Sequence, residues 1–560
     1  MGQMQKMARL FVLSVLLATG NICFGVTVVS VASFGAKADD RADDTPAFVQ
    51  ALRACVLSPG STLALDAGVY DVAMRSTPPD GSASPVLVIS GARGLTIDGH
   101  GAEIICHDFA TLFALDGCRD VTIRNLRIDY DPLPFTAGQI VGEGDGFVDL
   151  KIEPHHPLQA GLRAESLLPF DPVRKRMGQG TEDLYQPNLQ RRTQKISPDV
   201  MRVPVTRPMY HPGDWVILRH QIYSKNALDF TNCDRVQFDD VTVYTCPGMA
   251  LHAHGGSDFA LHSFNVAIKP NSGRWFTATA DATHFNGVRG KVTLNDCLLE
   301  SMGDDGANVH NWYLRVTQVL GPRRFKGVLG KDPSWDPLLP MPGDHLEIGR
   351  SPNPLLPLIN ATVESAEYGD DGKAAVVTLT KTPSQPPRVD DVVGNASTLP
   401  ALEVHHCTIR RNRARGVLVQ TRGAVVEQCT FEDISGAAVQ VTCDVERWWE
   451  GMPTRDVMIR DNTIARVNFG IGRRQAAIDI FADVGRNPAP EPVHRQIVVE
   501  HNTIRGTDGA DIHVGSAEQV TIRRNRFDQP IDAAVMIDHS RDVNIARDNL
   551  APPAPAAKRP

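Results

Sequence analysis

Short β-branched runs recur along this chain with a basic spacing in the low twenties, and a repeat of that length leaves few folds open to it. Late in the chain the runs are regular: Val426 to Phe431, Val457-Met-Ile-Arg-Asp-Asn462-Thr-Ile464, Ile497 to Asn502-Thr-Ile504, and Val520-Thr-Ile522-Arg-Arg-Asn525-Arg-Phe527. Asn502 and Asn525 stand 23 residues apart, and Cys407 and Cys429 stand 22 apart. Strands joined by polar turns at this period build a solenoid, each coil stacking ~4.8 Å above the last with its apolar residues inward. The spaced leucines of a leucine-rich repeat are absent. The expected fold is therefore all-β, a right-handed parallel β-helix with asparagine side chains laddered at the corners.

Two stretches, at about 133–218 and 312–397, break the period. Each holds a hairpin with an Asp-Gly turn, Gln139-Ile-Val to Leu150-Lys-Ile152 and Ala361-Thr-Val363 to Val377-Thr-Leu379, and each carries a Pro-Gly-Asp. Such turns between alternating strands predict two small antiparallel barrel-like inserts. The organisation expected is a signal peptide over 1–25, a first helical part with a capping α-helix over 26–132, an insert over 133–218, central coils over 219–311, a second insert over 312–397, C-terminal coils over 398–550 and a Pro-rich tail over 551–560. The cap follows from Asp44 or Thr45 as N-cap, Pro46 in the first turn, and Phe48, Leu52 and Cys55 on one face.

Lys6 and Arg9 precede the apolar run Leu10 to Ala18, which is too short to span a membrane and suits a signal sequence. Export to the periplasm or the medium is expected, with simple export favoured over lipidation at Cys23. A net charge of −8 leaves no basic footprint for nucleic acid. Beyond the signal stand nine cysteines, an odd number, so buried stacked thiols are expected rather than a disulfide framework. No Cys-x-x-Cys or His-Glu-x-x-His spacing suggests zinc, and no metal or other cofactor is expected.

The chemistry concentrates in Asp281-Ala-Thr-His284-Phe-Asn286 and Gly303-Asp304-Asp305-Gly306-Ala-Asn308-Val-His310. If one coil here is 23 residues long, Asp281 and Asp304 occupy equivalent positions on adjacent coils, with Asp305 beside them. Gly303 and Gly306 would let the backbone bend so that both members of the pair face one site. Grouped carboxylates cannot all ionise cheaply, which separates a protonated acid from water-activating carboxylates, as glycoside hydrolysis requires. An Asp-Asp pair alone is ordinarily a solvated turn, and several others occur here. The difference lies in the coil-spaced Asp281 and in the histidines and amides around the pair. His252, His254, His284, Arg274, Asn308, His310, Asn311 and Trp312 are candidates for binding sugar hydroxyls or stacking on a ring.

The opening Phe34-Gly-Ala-Lys-x-Asp and Asp43-Asp-Thr-x-Ala-Phe48 resemble the start of pectin-lyase-like β-helix enzymes. The Asp281 and Gly303 segments, with Cys246-Pro-Gly-Met249 and Arg274-Trp275, resemble the core of glycoside hydrolase family 110. That resemblance implies an exo-acting, inverting α-1,3-galactosidase on a β-helix with barrel-like additions. Its expected partner is a glycan ending in galactose, branched and blood-group-B-type or linear; a homodimer is an assembly open to it. The more distant polygalacturonases share the three-Asp plan. Carried over, Asp304 protonates the leaving oxygen while Asp281 and Asp305 position water. The polygalacturonase Gly-His-Gly and Arg-x-Lys elements are missing, and no basic pair stands out to hold a uronate. The competing readings are a polygalacturonase-like hydrolase, a calcium-dependent polysaccharide lyase of the same fold, and a non-catalytic glycan-binding β-helix.

Overall fold

The computed structural model describes residues 27–552, apart from 75–83, 180–183, 186–190, 471–475 and the single positions 208, 224, 334, 336, 371 and 486. The segments read as signal peptide and as most of the Pro-rich tail lie outside the described residues.

The repeats wind into a parallel β-helix whose strands stack in three ladders. One ladder is a separate sheet, running from Leu87–Ser90 through Leu228–Thr231, Leu251–His254, Thr283–Asn286, Ala307–His310 and Val417–Val419 to Val535–Asp538. The other two merge into a 21-stranded sheet. They merge because the long strands Arg119–Tyr130, Asp234–Val243 and Ser257–Val266 turn the corner without breaking. At that corner one residue per coil takes a left-handed conformation: Asn125, Asp240, Ser263, Asp296, His406, Gln428, Asp461, His501 and Arg524, all with φ between 51° and 57°. One left-handed residue bends the strand sharply while both neighbours stay extended.

The residue after each bend points into the core, and these form a column. It runs through Leu126, Val241 and Phe264, then Cys297, Cys407 and Cys429, then Asn462, Asn502 and Asn525. Asparagines are thus laddered in the last coils only. Asn462 donates to Asn502 at 2.9 Å, Asn502 to Asn525 at 3.0 Å and Asn525 to Asn549 at 3.1 Å. Thiols occupy the middle of the column, and all nine cysteines among the described residues are buried and free. The N-terminal end of the stack is covered by the helix Thr45–Val56, which buries Phe48, Leu52 and Cys55.

Two excursions leave this stack. The first is an eight-stranded antiparallel sheet lying between Phe135 and Arg219. One of its faces packs Ile140, Leu150, Leu167 and Leu218 together, and the other lays Phe135, Leu168, Phe170 and Ile217 on Phe276 of the helix. Its strand order is open among the described residues, unlike the second excursion, a closed six-stranded barrel of strands between Leu314 and Asn395. Arg289 and Arg422 of the helix clamp the barrel strand His345–Arg350 and its approach. Arg289 reaches Asp344 at 2.6 and 2.7 Å, and Arg422 reaches Glu347 at 2.8 Å twice. The stack closes over each gap: Leu228 pairs beside Phe113, and Val417 beside Ala307.

Candidate active site

In the separate ladder, inward and outward residues alternate. Thr283 and Phe285 face the core, and His284 and Asn286 face out. Register stacks the outward residues into two rows across the coils. One row is Asp229, His252, His284, Asn308; the other is Thr231, His254, Asn286, His310. The carboxylates sit in the turns that lead into these strands.

The coil between Thr283 and Ala307 is 24 residues long, not 23. Asp281 therefore lies across from Asp305, whose backbone N–H donates to its Oδ1 at 3.2 Å, and Asp304 sits one step earlier. The expected Asp281–Asp304 equivalence is off by one residue, yet the three carboxylates still gather, with an oxygen of each within 4.8 Å of the others. Gly303 and Gly306 do not serve the bend, since neither has a positive φ. They serve close stacking: a Cβ on Gly303 would lie 2.4 Å from the carbonyl of Thr279, and one on Gly306 2.5 Å from that of Gly416.

Asp281, Asp304 and Asp305 are 4%, 7% and 2% exposed, and all six carboxyl oxygens have a hydrogen-bond partner. Asp304 accepts from Arg413 at 3.0 Å and from the Tyr223 hydroxyl. Asp305 accepts from the Arg415 guanidinium at 2.9 Å and from the Arg415 backbone N–H at 2.9 Å. Asp281 meets Asp305 N–H and His284 Nδ1, the latter at 2.6 Å. A cation entering the cluster would have to displace these donors, and Arg413 and Arg415 already supply positive charge.

Burial pushes the Asp281 carboxyl up to about 8, helped by the charge of Asp304 and opposed by Arg415. Asp305 is raised by the same burial, with Arg415 against it. Burial works on Asp304 too, but Arg413, Arg415 and the Tyr223 hydroxyl outweigh it and hold this carboxyl below its usual range. Asp281 and Asp305 are thus the carboxyls whose surroundings favour the protonated form, and Asp304 the one whose surroundings favour the charge.

The residues singled out in the sequence fall into three groups. His284 joins the carboxylates directly and His310 joins through it, His284 Nε2 meeting His310 Nε2 at 2.9 Å. His252, His254, Asn308 and Trp312 border them: His252 is held by Asp229 at 2.9 Å, its ring 5.6 Å from that of His284, and Trp312 lies 5.9 Å from His310. Buried Asn308 keeps an unpaired Oδ1. Asn311 instead ties the helix to the end of the barrel through Asn395 and Thr398. Arg274 is not part of the cluster; it stands earlier than Asp281 in the long connection from Val266 to Thr283 and pairs with Asp129 at 2.7 Å beside Lys269. Its neighbour Trp275 packs on Phe170 and Trp215 of the first insert.

The sequence reading missed Tyr223, Arg413, Arg415 and Asn412, whose amide donates to the Asp304 carbonyl at 3.0 Å. A basic pair does enter the site, Arg413-Ala-Arg415, but it is bound to Asp304 and Asp305. The signal was the register: Ala307 pairs with Val417, so Arg415 follows Asp305 by one coil, although 110 residues separate them in sequence. The intervening barrel concealed that adjacency.

A family model described as right handed beta helix region matches residues 392–551. The chain is 25% identical over 504 residues to α-1,3-galactosidase A of Shewanella woodyi, covering 85% of this chain and 82% of that one. It is 26% identical over 557 residues to α-1,3-galactosidase B of Bacteroides thetaiotaomicron, covering 92% and 88%. Among solved structures, an exopolygalacturonase from Thermotoga maritima superposes with a TM-score of 0.44 at 11% identity, over 94% of this chain and 91% of that one.

Proposed function

We propose that this protein is an exo-acting glycoside hydrolase of family 110 that removes terminal α-1,3-linked galactose from glycans with inversion. The observation carrying this reading is the buried gathering of Asp281, Asp304 and Asp305 in one cluster. It is supported by the resemblance of the motifs around them and by the α-1,3-galactosidase names of relatives spanning most of the chain. In this reading Asp304 protonates the leaving oxygen, while Asp281 and Asp305 hold the attacking water. Since Asp304 is the carboxyl held low and Asp305 the neighbour held high, the proton Asp304 delivers comes to it from Asp305 before cleavage. His252, Asn308 and Trp312 would line the bound sugar, while His284 and His310 stand behind Asp281. Arg413 and Arg415, bound to the carboxylates, do not stand free to grip a uronate.

One observation favours a second stereochemical reading. Inverting pairs of carboxyls are ordinarily ~6.5–9.5 Å apart and retaining pairs ~5–5.5 Å, whereas here one oxygen from each group lies within 4.8 Å. Close oxygens leave retention through a covalent galactosyl ester as the second reading, although the groups can stand farther apart than their nearest oxygens; the motif resemblance favours inversion. NMR of the sugar first released from a terminal α-1,3-galactoside decides, comparing wild type with Asp304→Asn. We expect β-galactose, and none from the variant. Release of α-galactose would install retention. No release, with cleavage of polygalacturonate instead, would replace the galactosidase by a polygalacturonase-like enzyme. Export is likewise a proposal, resting on residues 1–25 and tested by cell fractionation.

A further inference from the structure

The histidines beside Asp281 form a chain whose protons can be counted. At its far end His310 Nδ1 faces the Asn311 carbonyl at 3.2 Å, an atom that only accepts, so Nδ1 carries a hydrogen. His310 Nε2 faces His284 Nε2 at 2.9 Å, and His284 Nδ1 faces Asp281 Oδ2 at 2.6 Å. One hydrogen lies in each of these three contacts. If His310 is neutral, its Nε2 accepts; His284 then donates from Nε2 and accepts at Nδ1; the remaining hydrogen is on Asp281 Oδ2. The same three hydrogens can be arranged otherwise only by making His284 or His310 an imidazolium.

The surroundings bear on that choice. His310 is fully buried, 0% exposed. Burial together with the charges of His284 and Lys331 lowers its pKa to about 4, against the pull of Glu450. His284 is held well below its usual range by burial and by His252, Lys331 and His254, against the pull of Asp304. Asp281 itself is faced by Asp304, Arg413, Arg415 and the Asp305 amide.

We infer that Asp281, His284 and His310 are a directional proton chain that seats a proton on Asp281 Oδ2 at rest and lets His284 take it when Asp281 works as the base. His284 and His310 are then positioning residues, and the inference about their part in turnover rests on the hydrolase reading above. The step balances. The Asp281 O–H bond breaks and a His284 Nδ1–H bond forms, giving a carboxylate and an imidazolium that still donates to His310. The carboxylate then takes a proton from water as the water oxygen bonds to the anomeric carbon. The glycosidic C–O bond breaks with its oxygen protonated by the acid carboxyl. Asp305 is the group that has loaded that acid, so the enzyme resets when one proton passes from His284 back to Asp305.

Two measurements on the full chain test this, the first independent of any substrate. Imidazole ¹⁵N NMR near pH 6.5 should find His284 as the neutral Nε2–H tautomer and His310 as the neutral Nδ1–H tautomer. Infrared difference spectra against Asp281→Asn should assign a carboxylic-acid carbonyl band to Asp281. An Nδ1–H tautomer of His284, an imidazolium at rest, or the absence of that band would overturn the inference whatever the enzyme cleaves. The second measurement is a pH–rate profile. Leu at 310 removes the acceptor, so His310→Leu should lower kcat by roughly tenfold, small beside the ~10²–10⁴ of a direct acid or base, with KM little changed and the alkaline limb displaced. His310→Gln, whose amide oxygen accepts, should restore most of both. A profile unmoved in His310→Leu, in a variant whose circular dichroism matches wild type, would reduce His310 to a packing residue.

Discussion

At the scale of single residues, Asp281 faces His284 Nδ1 with one oxygen and the Asp305 amide with the other. An asparagine can satisfy both, donating from Nδ2 and accepting at Oδ1. The raised carboxyl, from 3.8 to about 8, means that the folded state disfavours the charged form. This cost is absent below the unfolded pKa, grows as pH rises from about 4, and levels off above about 8. Asp281→Asn should therefore abolish hydrolysis yet make the fold more resistant to urea at pH 7, by roughly 2–4 kcal/mol. The gain should vanish near pH 4. A variant less stable than wild type at pH 7 would contradict the protonated Asp281. The acids and the two histidines were legible in the sequence because they lie in two short segments one coil apart. Arg413 and Arg415 were not, since the barrel stands between them and the acids, nor was Tyr223, which reaches Asp304 from 81 residues upstream at the exit from the first insert. Arg274 was misread because its motif neighbour Trp275 is conscripted to hold the first insert, a packing duty that local sequence does not separate from binding.

At the scale of the repeating element, the corner column decides how tightly coils grip one another. Asn502 is its central amide rung: its Nδ2 donates to Ile459, Glu500 and Asn525 oxygens, and its Oδ1 accepts from the Asn462 backbone and side chain. Each buried group left without a partner costs about 1–3 kcal/mol. Asn502→Ala should therefore lose roughly 3–5 kcal/mol in urea unfolding, and Asn549→Ala, at the end of the ladder, clearly less. Equal losses would show that the rungs do not cooperate. The period of the strands made this architecture readable. The gradation of the column from apolar to thiol to amide was less so, because upstream coils vary in length: 24 residues at the site against 22 between Cys407 and Cys429. A single period therefore slips by a residue where the chemistry is.

At the scale of the whole molecule, the barrel is held to the helix by the ion pairs of Arg289 and Arg422 and by the packing of Tyr313, Leu355 and Val392 on Cys443, Met452 and Ala482. Asp344 receives Arg289 twice, the Asn395 amide and the Met341 N–H, and these hold its carboxyl low despite burial. A depressed carboxyl contributes stability above its unfolded pKa near 4 and loses it as pH falls through the folded value. Asp344→Ala should weaken barrel docking by roughly 2–4 kcal/mol. Limited proteolysis should then open the barrel while the C-terminal coils stay protected, and wild type should show the same opening in acid. Loss of protection everywhere at once would mean that the barrel and the coils unfold as one unit.

The pairing of Asp305 with Arg415 also sets a schedule. When ribosomal synthesis passes the two aspartates, their countercharges are still 110 residues away, about 5–20 s of translation at roughly 5–20 residues per second. Until the barrel has been made and the next coil has begun, Asp304 and Asp305 lack the guanidiniums of Arg413 and Arg415 that pair with them, and burying an unpaired carboxylate in that turn is costly. The site is therefore among the last parts of the central coils to mature, and a nascent chain stopped short of Arg415 should have coils without an enzyme.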